Sequence, residues 1–70
     1  MALVRSEVAG NVWKIAVAVG QAVAVGDVLV IIESMKMEIP VEAPAAGTVR
    51  AIRVAEGEAV AEGAVVAELG

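Results

Sequence analysis

Residues 9–32, AGNVWKIAVAVGQAVAVGDVLVII, and residues 46–69, AGTVRAIRVAEGEAVAEGAVVAEL, are two copies of one pattern. A shift of 37 positions aligns them without a gap, and twelve of the 24 aligned residues are identical. The shift brings Gly10, Gly20 and Gly26 onto Gly47, Gly57 and Gly63. Two copies are too few for a solenoid, which needs about three or more repeats to bury a continuous core. The repeat therefore predicts one small domain whose halves pack about a pseudo-twofold axis.

The repeated pattern is typical of β structure. Valine and isoleucine dominate, and β-branched side chains favour strands over helices. Glycines at near-regular spacing mark turns between short runs, so we expect almost no helix and a sandwich or barrel of short strands. The pattern predicts strands near residues 2–8, 11–18, 28–33, 37–43, 48–54 and 64–69, with connecting pieces near 21–25 and 58–62.

The same pattern predicts the positions of several side chains. Val28–Ile32 is predicted to be buried on both faces. Pro40 and Pro44 limit the strand between them to a short edge segment, because neither donates to a ladder. Trp13 is expected to pack at the edge of the core, with a docking surface as the alternative. An exposed charged face is predicted from Arg50, Arg53, Glu56 and Glu58.

The amino-acid composition restricts the functions that are possible for this chain. Seventy residues make one domain, residues 1–70, and the chain has no cysteine, no histidine and two serines. No disulfide, nucleophilic triad or zinc site can be assembled from them, and the scattered carboxylates lack the spacing of a calcium loop. Chemistry beyond proton transfer must come from a partner or cofactor. We therefore expect a protein that is not itself an enzyme and that holds no metal.

Charge and hydropathy bear on the partners. The net charge of −4 and the pI near 4.5 argue against nucleic-acid binding. Mean hydropathy is +0.87, but the longest apolar runs, Ile15–Val19 and Val28–Ile32, hold five residues each. A membrane-spanning helix needs roughly 20 mostly apolar residues, so no span is expected. The chain start lacks the basic and apolar regions of a signal peptide, which predicts the cytoplasm or an organelle matrix.

The segment Glu33-Ser34-Met35-Lys36-Met37-Glu38 contains one of only two lysines, the other being Lys14. Few residues separate the flanking strands, which predicts a tight hairpin with Met35-Lys36 or Lys36-Met37 at its tip. Such turns prefer Asn-Gly or Asp-Gly, and departures from local rules are typical of functional sites. Glutamates on either side should keep the amine charged, which suits modification by an enzyme that supplies its own activation. The alternative is an ordinary exposed lysine on a turn.

The same segment resembles the attachment motif of the biotinyl/lipoyl carrier domains. Met-Lys-Met is the biotin form of that motif, whereas the lipoyl form usually reads Asp-Lys-Ala. Residues 43–49, APAAGTV, and the pairs Glu56-Gly57 and Glu62-Gly63 resemble later segments of the family, so the resemblance covers essentially the whole chain. It implies an all-β fold, a flattened barrel-sandwich hybrid of two four-stranded antiparallel sheets with quasi-twofold symmetry. The modified lysine is then expected on a hairpin at one end and the termini at the other.

By this resemblance, Lys36 is biotinylated on its ε-amine by a biotin protein ligase, and Met35 and Met37 belong to the recognition motif. The biotinyl group would carry carboxyl between biotin carboxylase and carboxyltransferase components, while the domain catalyses neither step. Two alternatives remain: a lipoyl carrier of a 2-oxo acid dehydrogenase complex, and an unmodified structural adaptor. The chain most resembles small stand-alone attachment proteins and is expected to be a monomer, although an excised carboxylase domain would look much the same.

Overall fold

In a computed structural model, residues 2–70 form eight β-strands arranged in two four-stranded sheets. The strands are β1 (Ala2–Arg5), β2 (Gly10–Ile15), β3 (Ala22–Val23), β4 (Val28–Ser34), β5 (Met37–Glu42), β6 (Gly47–Ile52), β7 (Ala59–Val60) and β8 (Val65–Leu69). One sheet has the order β1-β8-β6-β3 and the other β5-β4-β2-β7, and all pairs are antiparallel. No helix occurs within residues 2–70. The all-β fold predicted from the sequence is confirmed.

The two sheets are quasi-twofold mates of each other. The shift of 37 residues carries β1, β2, β3 and β4 onto β5, β6, β7 and β8, and it converts one strand order into the other. The backbone hydrogen bonds between the halves follow the same rule. The Gly20 amide donates to the Val49 carbonyl at 2.8 Å, and the Gly57 amide donates to the Val12 carbonyl at 2.7 Å. Each half thus binds a turn of the other, as the repeat predicts.

Two β-bulges recur at equivalent places and decide which side chains enter the core. Trp13 and Arg50 are skipped in the pairing of β2 with β4 and of β6 with β8. Leu29 and Val66 are skipped in the pairing of β4 with β5 and of β8 with β1. A bulge turns consecutive residues to the same side of a strand. Leu29 and its neighbour Val30 are therefore both fully buried, as are Val66 and Ala67.

The core lies between the sheets and consists of small and branched aliphatic side chains. Leu29, Val30 and Ile32 of β4 are completely buried, but Val28 and Ile31 are only partly buried, so the predicted burial of Val28–Ile32 on both faces is confirmed for the inner face alone. The remaining buried members are Val4, Val12, Val23, Val41, Ala43, Val49, Val60, Val66, Ala67 and Leu69. Because β4 is flanked by β5 and β2, its burial fixes the base of the hairpin that follows it.

The structure corrects several predicted strand limits. β1 ends at Arg5 rather than near residue 8, because the Ser6 hydroxyl donates to the Val8 carbonyl at 2.6 Å and holds a loop. β2 ends at Ile15 rather than near 18, since the chain then crosses to the other sheet. The pieces predicted as connections, 21–25 and 58–62, each contain a two-residue strand, β3 and β7. Pro40 lies on β5, an edge strand as predicted.

The predicted position of Trp13 at the core edge is wrong. Strict alternation along β2 puts Val12 with Lys14 on one face and Trp13 with Ile15 on the other. In the structure Val12 is buried and Ile15 packs against the core, whereas Trp13 and Lys14 are both exposed. The bulge at Trp13 is the physical reason, because it inserts one residue and reverses the alternation that follows.

Candidate functional site

Lys36 lies at the tip of the hairpin between β4 and β5. Ser34 pairs with Met37, which leaves Met35 and Lys36 as the two central residues of the turn. Their φ angles are 52° and 63°, and positive φ at both central positions defines a type I′ turn. These are the only non-glycine residues with positive φ in the part of the chain that the structure describes. A side chain in this region costs roughly 1–2 kcal/mol per residue, so the turn is strained.

The side chains of the turn project into solvent. Met35 is 92% exposed, Met37 is 63% exposed and Lys36 is also exposed. Glu33 and Glu38 face each other across β4 and β5, but neither forms an ion pair with Lys36. Within residues 2–70 the single ion pair joins Arg53 and Glu68. The Lys36 amine is therefore sterically open and free of carboxylate partners among the described residues.

The base of the hairpin is held close to β2. Glu33 pairs with Asn11, and Ile32 is fully buried between Val12 and Ile39, its partners in register. A Cβ placed on Gly10 would come within 2.8 Å of the Ile32 side chain and would collide with the Glu33 carbonyl. Gly10 thus permits a close approach that an alanine would prevent, and β2 supports the lysine hairpin through it.

Relief of the turn strain gives a direct test of this geometry. We expect Met35→Asn to stabilise the domain by about 1 kcal/mol, because asparagine tolerates positive φ and is preferred in type I′ turns. The measurement is the urea midpoint at an unchanged slope. Met37→Asn is the matched control, since Met37 is exposed but lies in β5 outside the positive-φ turn. Equal effects at both positions would contradict the assigned turn.

The four residues of the predicted charged face are exposed, and three of them also form hydrogen bonds. Arg53 forms an ion pair and a hydrogen bond with Glu68, which is 9% exposed. The Glu56 carboxylate accepts from the Ile15 amide at 3.0 Å, and the Glu58 carboxylate accepts from the Ala55 amide at 3.0 Å. Sequence reasoning missed Glu68. Its quasi-twofold mate Ile31 could have signalled a sheltered position, since the repeat aligns the two.

No group of three or more histidine, cysteine, aspartate or glutamate residues within residues 2–70 is arranged to hold a metal ion. Over the same residues, no helix is long and apolar enough to cross a membrane. Two surface recesses are lined by Arg5, Glu7, Val8 and residues 39–42 and by Ala2, Ala45, Ala46, Leu69 and Gly70. Neither includes Met35, Lys36 or Met37. The hairpin is therefore suited to a group carried on the end of a side chain, not to one enclosed in a cavity.

The profile of the family described as "Biotin-requiring enzyme" matches residues 2–69, which is nearly the full length. The chain belongs to the biotinyl/lipoyl attachment family. Among curated proteins, this attachment domain is 52% identical over 44 residues to a "Biotinylated protein TB7.3 homolog" of Mycobacterium leprae. It is 46% identical over 44 residues to a "Biotin/lipoyl attachment protein" of Bacillus subtilis. Each alignment covers 63% of this chain. It covers 62% of the first relative and 60% of the second, so the match spans about three fifths of those proteins.

The domain is also similar to parts of much larger chains of known structure. The urea carboxylase of Kluyveromyces lactis matches 99% of the domain with a TM-score of 0.95 and 40% identity, and the match covers 6% of that enzyme. A single-chain, multi-domain long-chain acyl-CoA carboxylase matches 94% of the domain with a TM-score of 0.88 and 30% identity, over 7% of its chain. The arrangement of two four-stranded sheets is thus shared with domains of carboxylases.

Proposed function

We propose that this protein is a biotin carrier, with biotin joined through an amide to Nζ of Lys36. The observation that carries the proposal is the strained type I′ turn, which holds an exposed lysine between two exposed methionines. Asparagine or glycine would form this turn at lower cost. Retention of Met35 and Lys36 on positive φ is therefore better explained by recognition of the tip than by stability.

The chain's own residues fit covalent attachment. Lys36 has no carboxylate partner within residues 2–70, so attachment does not require an ion pair to be broken there. The free amine of Lys36 attacks the acyl carbon of a biotin carboxyl group activated by the ligase. An amide bond forms, the activating group leaves with the electron pair of the broken acyl–oxygen bond, and the amine proton passes to solvent. Attachment removes one positive charge and takes the net charge from −4 to −5.

Biotin, once bound, supplies a ureido nitrogen that can carry a carboxyl group. The domain contributes a rigid hairpin and a tether, which raise the effective concentration of the group at each active site. In this proposal residues 1–70 act as one monomeric domain in the cytoplasm. Its partners are a biotin protein ligase and the biotin carboxylase and carboxyltransferase components of a carboxylase, and it catalyses neither step. Support comes from relatives named as biotinylated proteins and from structural neighbours named as carboxylases.

A lipoyl carrier is the second candidate function. The observation that favours it is the similarity to a relative named "Biotin/lipoyl attachment protein", over 44 residues. The exposed methionines on both sides of Lys36 argue for biotin, because the lipoyl form of the motif usually has Asp and Ala there. A structural adaptor would not require a lysine at the tip. It is the remaining hypothesis if neither biotin nor lipoate is attached.

The test is the intact mass of the protein co-expressed with a biotin protein ligase or, separately, with a lipoate ligase, each with its cofactor. One biotinyl increment that peptide mapping places on Lys36 is the expected result. A lipoyl increment alone would replace the proposal with the second candidate. No increment from either ligase would overturn both carrier functions.

A further inference from the structure

The quasi-twofold symmetry provides an internal comparison between two outer sheet faces. The fold uses both sheets equally, so residues needed only for folding should be similar in the two halves. On the outer faces they differ. Trp13 of β2 occupies the place of Arg50 in β6, and Ile31 of β4 occupies the place of Glu68 in β8. These differences identify positions where one sheet has a role that the other lacks.

The outer face of the sheet without the lysine hairpin is occupied by its own charges. Arg53 pairs with Glu68 across β6 and β8, which satisfies the sheltered carboxylate. The Arg50 side chain lies against Gly70, where a Cβ would collide with it. Long arginine side chains cover apolar surface with their methylene groups while the guanidinium reaches water. These charged side chains therefore occupy β6 and β8 on this face, while Leu3 of β1, which pairs with Glu68, is 49% exposed beside them.

The outer face of the sheet that contains the hairpin has no equivalent ion pair among the described residues. Lys14 pairs with Ile31, and Ile31 pairs with Pro40, so these residues form one row across β2, β4 and β5. The bulge presents Trp13 beside this row with 49% of its surface exposed. The places of Arg53 and Glu68 are taken by Ala16 and Ile31, which cannot form an ion pair. The result is an apolar shelf, defined here as Trp13, Ile31 and Pro40.

An acidic row separates this shelf from the lysine turn. Glu33 and Glu38 pair with each other on the outer face of β4 and β5, and both are exposed. Like charges directly opposite each other in a sheet are destabilising. Neither carboxylate has an ion-pair partner among the residues that the structure describes. Two glutamates without ion-pair partners among the described residues, on the same face as an exposed indole, form a surface suited to a partner with an apolar pocket and neighbouring cations.

We propose that this shelf and the acidic row form the docking surface for the biotin protein ligase, an inference that rests on the proposed function. The ligase must bring an activated carboxyl to Nζ of Lys36, within reach of one lysine side chain. It must therefore cover the turn and the face beside it. The carboxylase active sites receive a group at the end of a longer arm and need not approach this face so closely. Trp13 acts as the anchor, because exposed tryptophans are enriched among residues that dominate interface energetics.

The test compares Trp13→Arg with Leu3→Arg in biotinylation of the unmodified protein by a biotin protein ligase. Trp13→Arg installs the residue found at the quasi-twofold mate, Arg50, so the backbone of the bulge accepts it. Leu3 is the matched control, since it is also 49% exposed but lies on the outer face of the other sheet. We expect the KM for the carrier to rise about tenfold or more for Trp13→Arg, with kcat and the thermal midpoint little changed. Leu3→Arg should match the parent.

The salt dependence of the KM provides a second, independent test of the docking surface. The KM of the parent should rise with salt, and the double variant Glu33→Gln with Glu38→Gln should lose most of that dependence. If Trp13→Arg is poorly folded, Trp13→Gln takes its place in the same assay. If a folded Trp13 variant has the same KM as the parent, the proposed docking surface is wrong, whereas biotinylation at Lys36 is unaffected by that result. Failure of the parent to accept biotin would instead refute the carrier function itself.

Discussion

Lys36→Arg is expected to abolish biotin incorporation completely while the domain stays folded. Arginine keeps the positive charge, but its guanidinium remains protonated and does not replace the amine as a nucleophile. The side chain at this position is exposed, so the free energy of unfolding should change by less than about 0.5 kcal/mol. Intact mass after treatment with ligase, ATP and biotin measures incorporation, and circular dichroism during urea unfolding measures stability.

Lys14 provides the matched control, because it is the other lysine of the chain and is also exposed. It lies in β2 next to the bulge and not in a turn with positive φ. Lys14→Arg should accept one biotin as the parent does. Incorporation at Lys14 in the Lys36→Arg variant would show that the ligase does not read the turn, and the site assignment would be wrong.

Leu29→Ala should remove a large part of the stability of the domain. Leu29 has no exposed surface, and the bulge places it in the core next to Val30. Truncation of a buried leucine to alanine costs about 2–5 kcal/mol, because apolar burial is lost and a cavity remains. Small domains have only about 5–15 kcal/mol in total. Urea unfolding followed by circular dichroism should show a clearly lower midpoint.

Leu3→Ala is the control for this substitution, with the same chemical change on a side chain that is 49% exposed. It should cost no more than about 1 kcal/mol, since little buried surface is removed. A loss at Leu29 as small as the loss at Leu3 would mean that the bulge does not direct Leu29 into the core. The equivalent substitution Val66→Ala, at the quasi-twofold mate of Leu29, would then show whether the core assignment fails in one half or in both.

The features that could be predicted from the sequence are those that can be recognised from the order of residues along the chain. Alternating β-branched residues and regularly spaced glycines predicted a sandwich or barrel of short strands, and the internal repeat predicted two related halves. The two four-stranded sheets were implied by the family resemblance. The tight hairpin was predictable because few residues separate its strands, and either candidate tip, Met35-Lys36 or Lys36-Met37, departs from the residues that a two-residue turn prefers. The structure confirms the departure as positive φ at both positions. The attachment of biotin at Lys36 itself stays a prediction.

Two of the errors share one physical cause, a β-bulge. A bulge inserts a residue without any fixed sequence marker, so the alternation of faces could not be followed past Trp13. The ion pair of Arg53 with Glu68 was missed because it depends on the register of β6 with β8, which contains the equivalent bulge. Two-residue strands such as β3 and β7 are too short to show a period and are defined by their partners in the other half.

Each sheet is assembled from both halves of the chain. β1 and β3 from the first half join β6 and β8 from the second, while β2 and β4 join β5 and β7. Neither half on its own contains a complete sheet, so no part of the chain forms an autonomous folding unit. Loss of one half removes the pairing partners of the other, and unfolding should therefore be all-or-none. In native-state hydrogen exchange, the buried strands of both sheets should open together, in one global event.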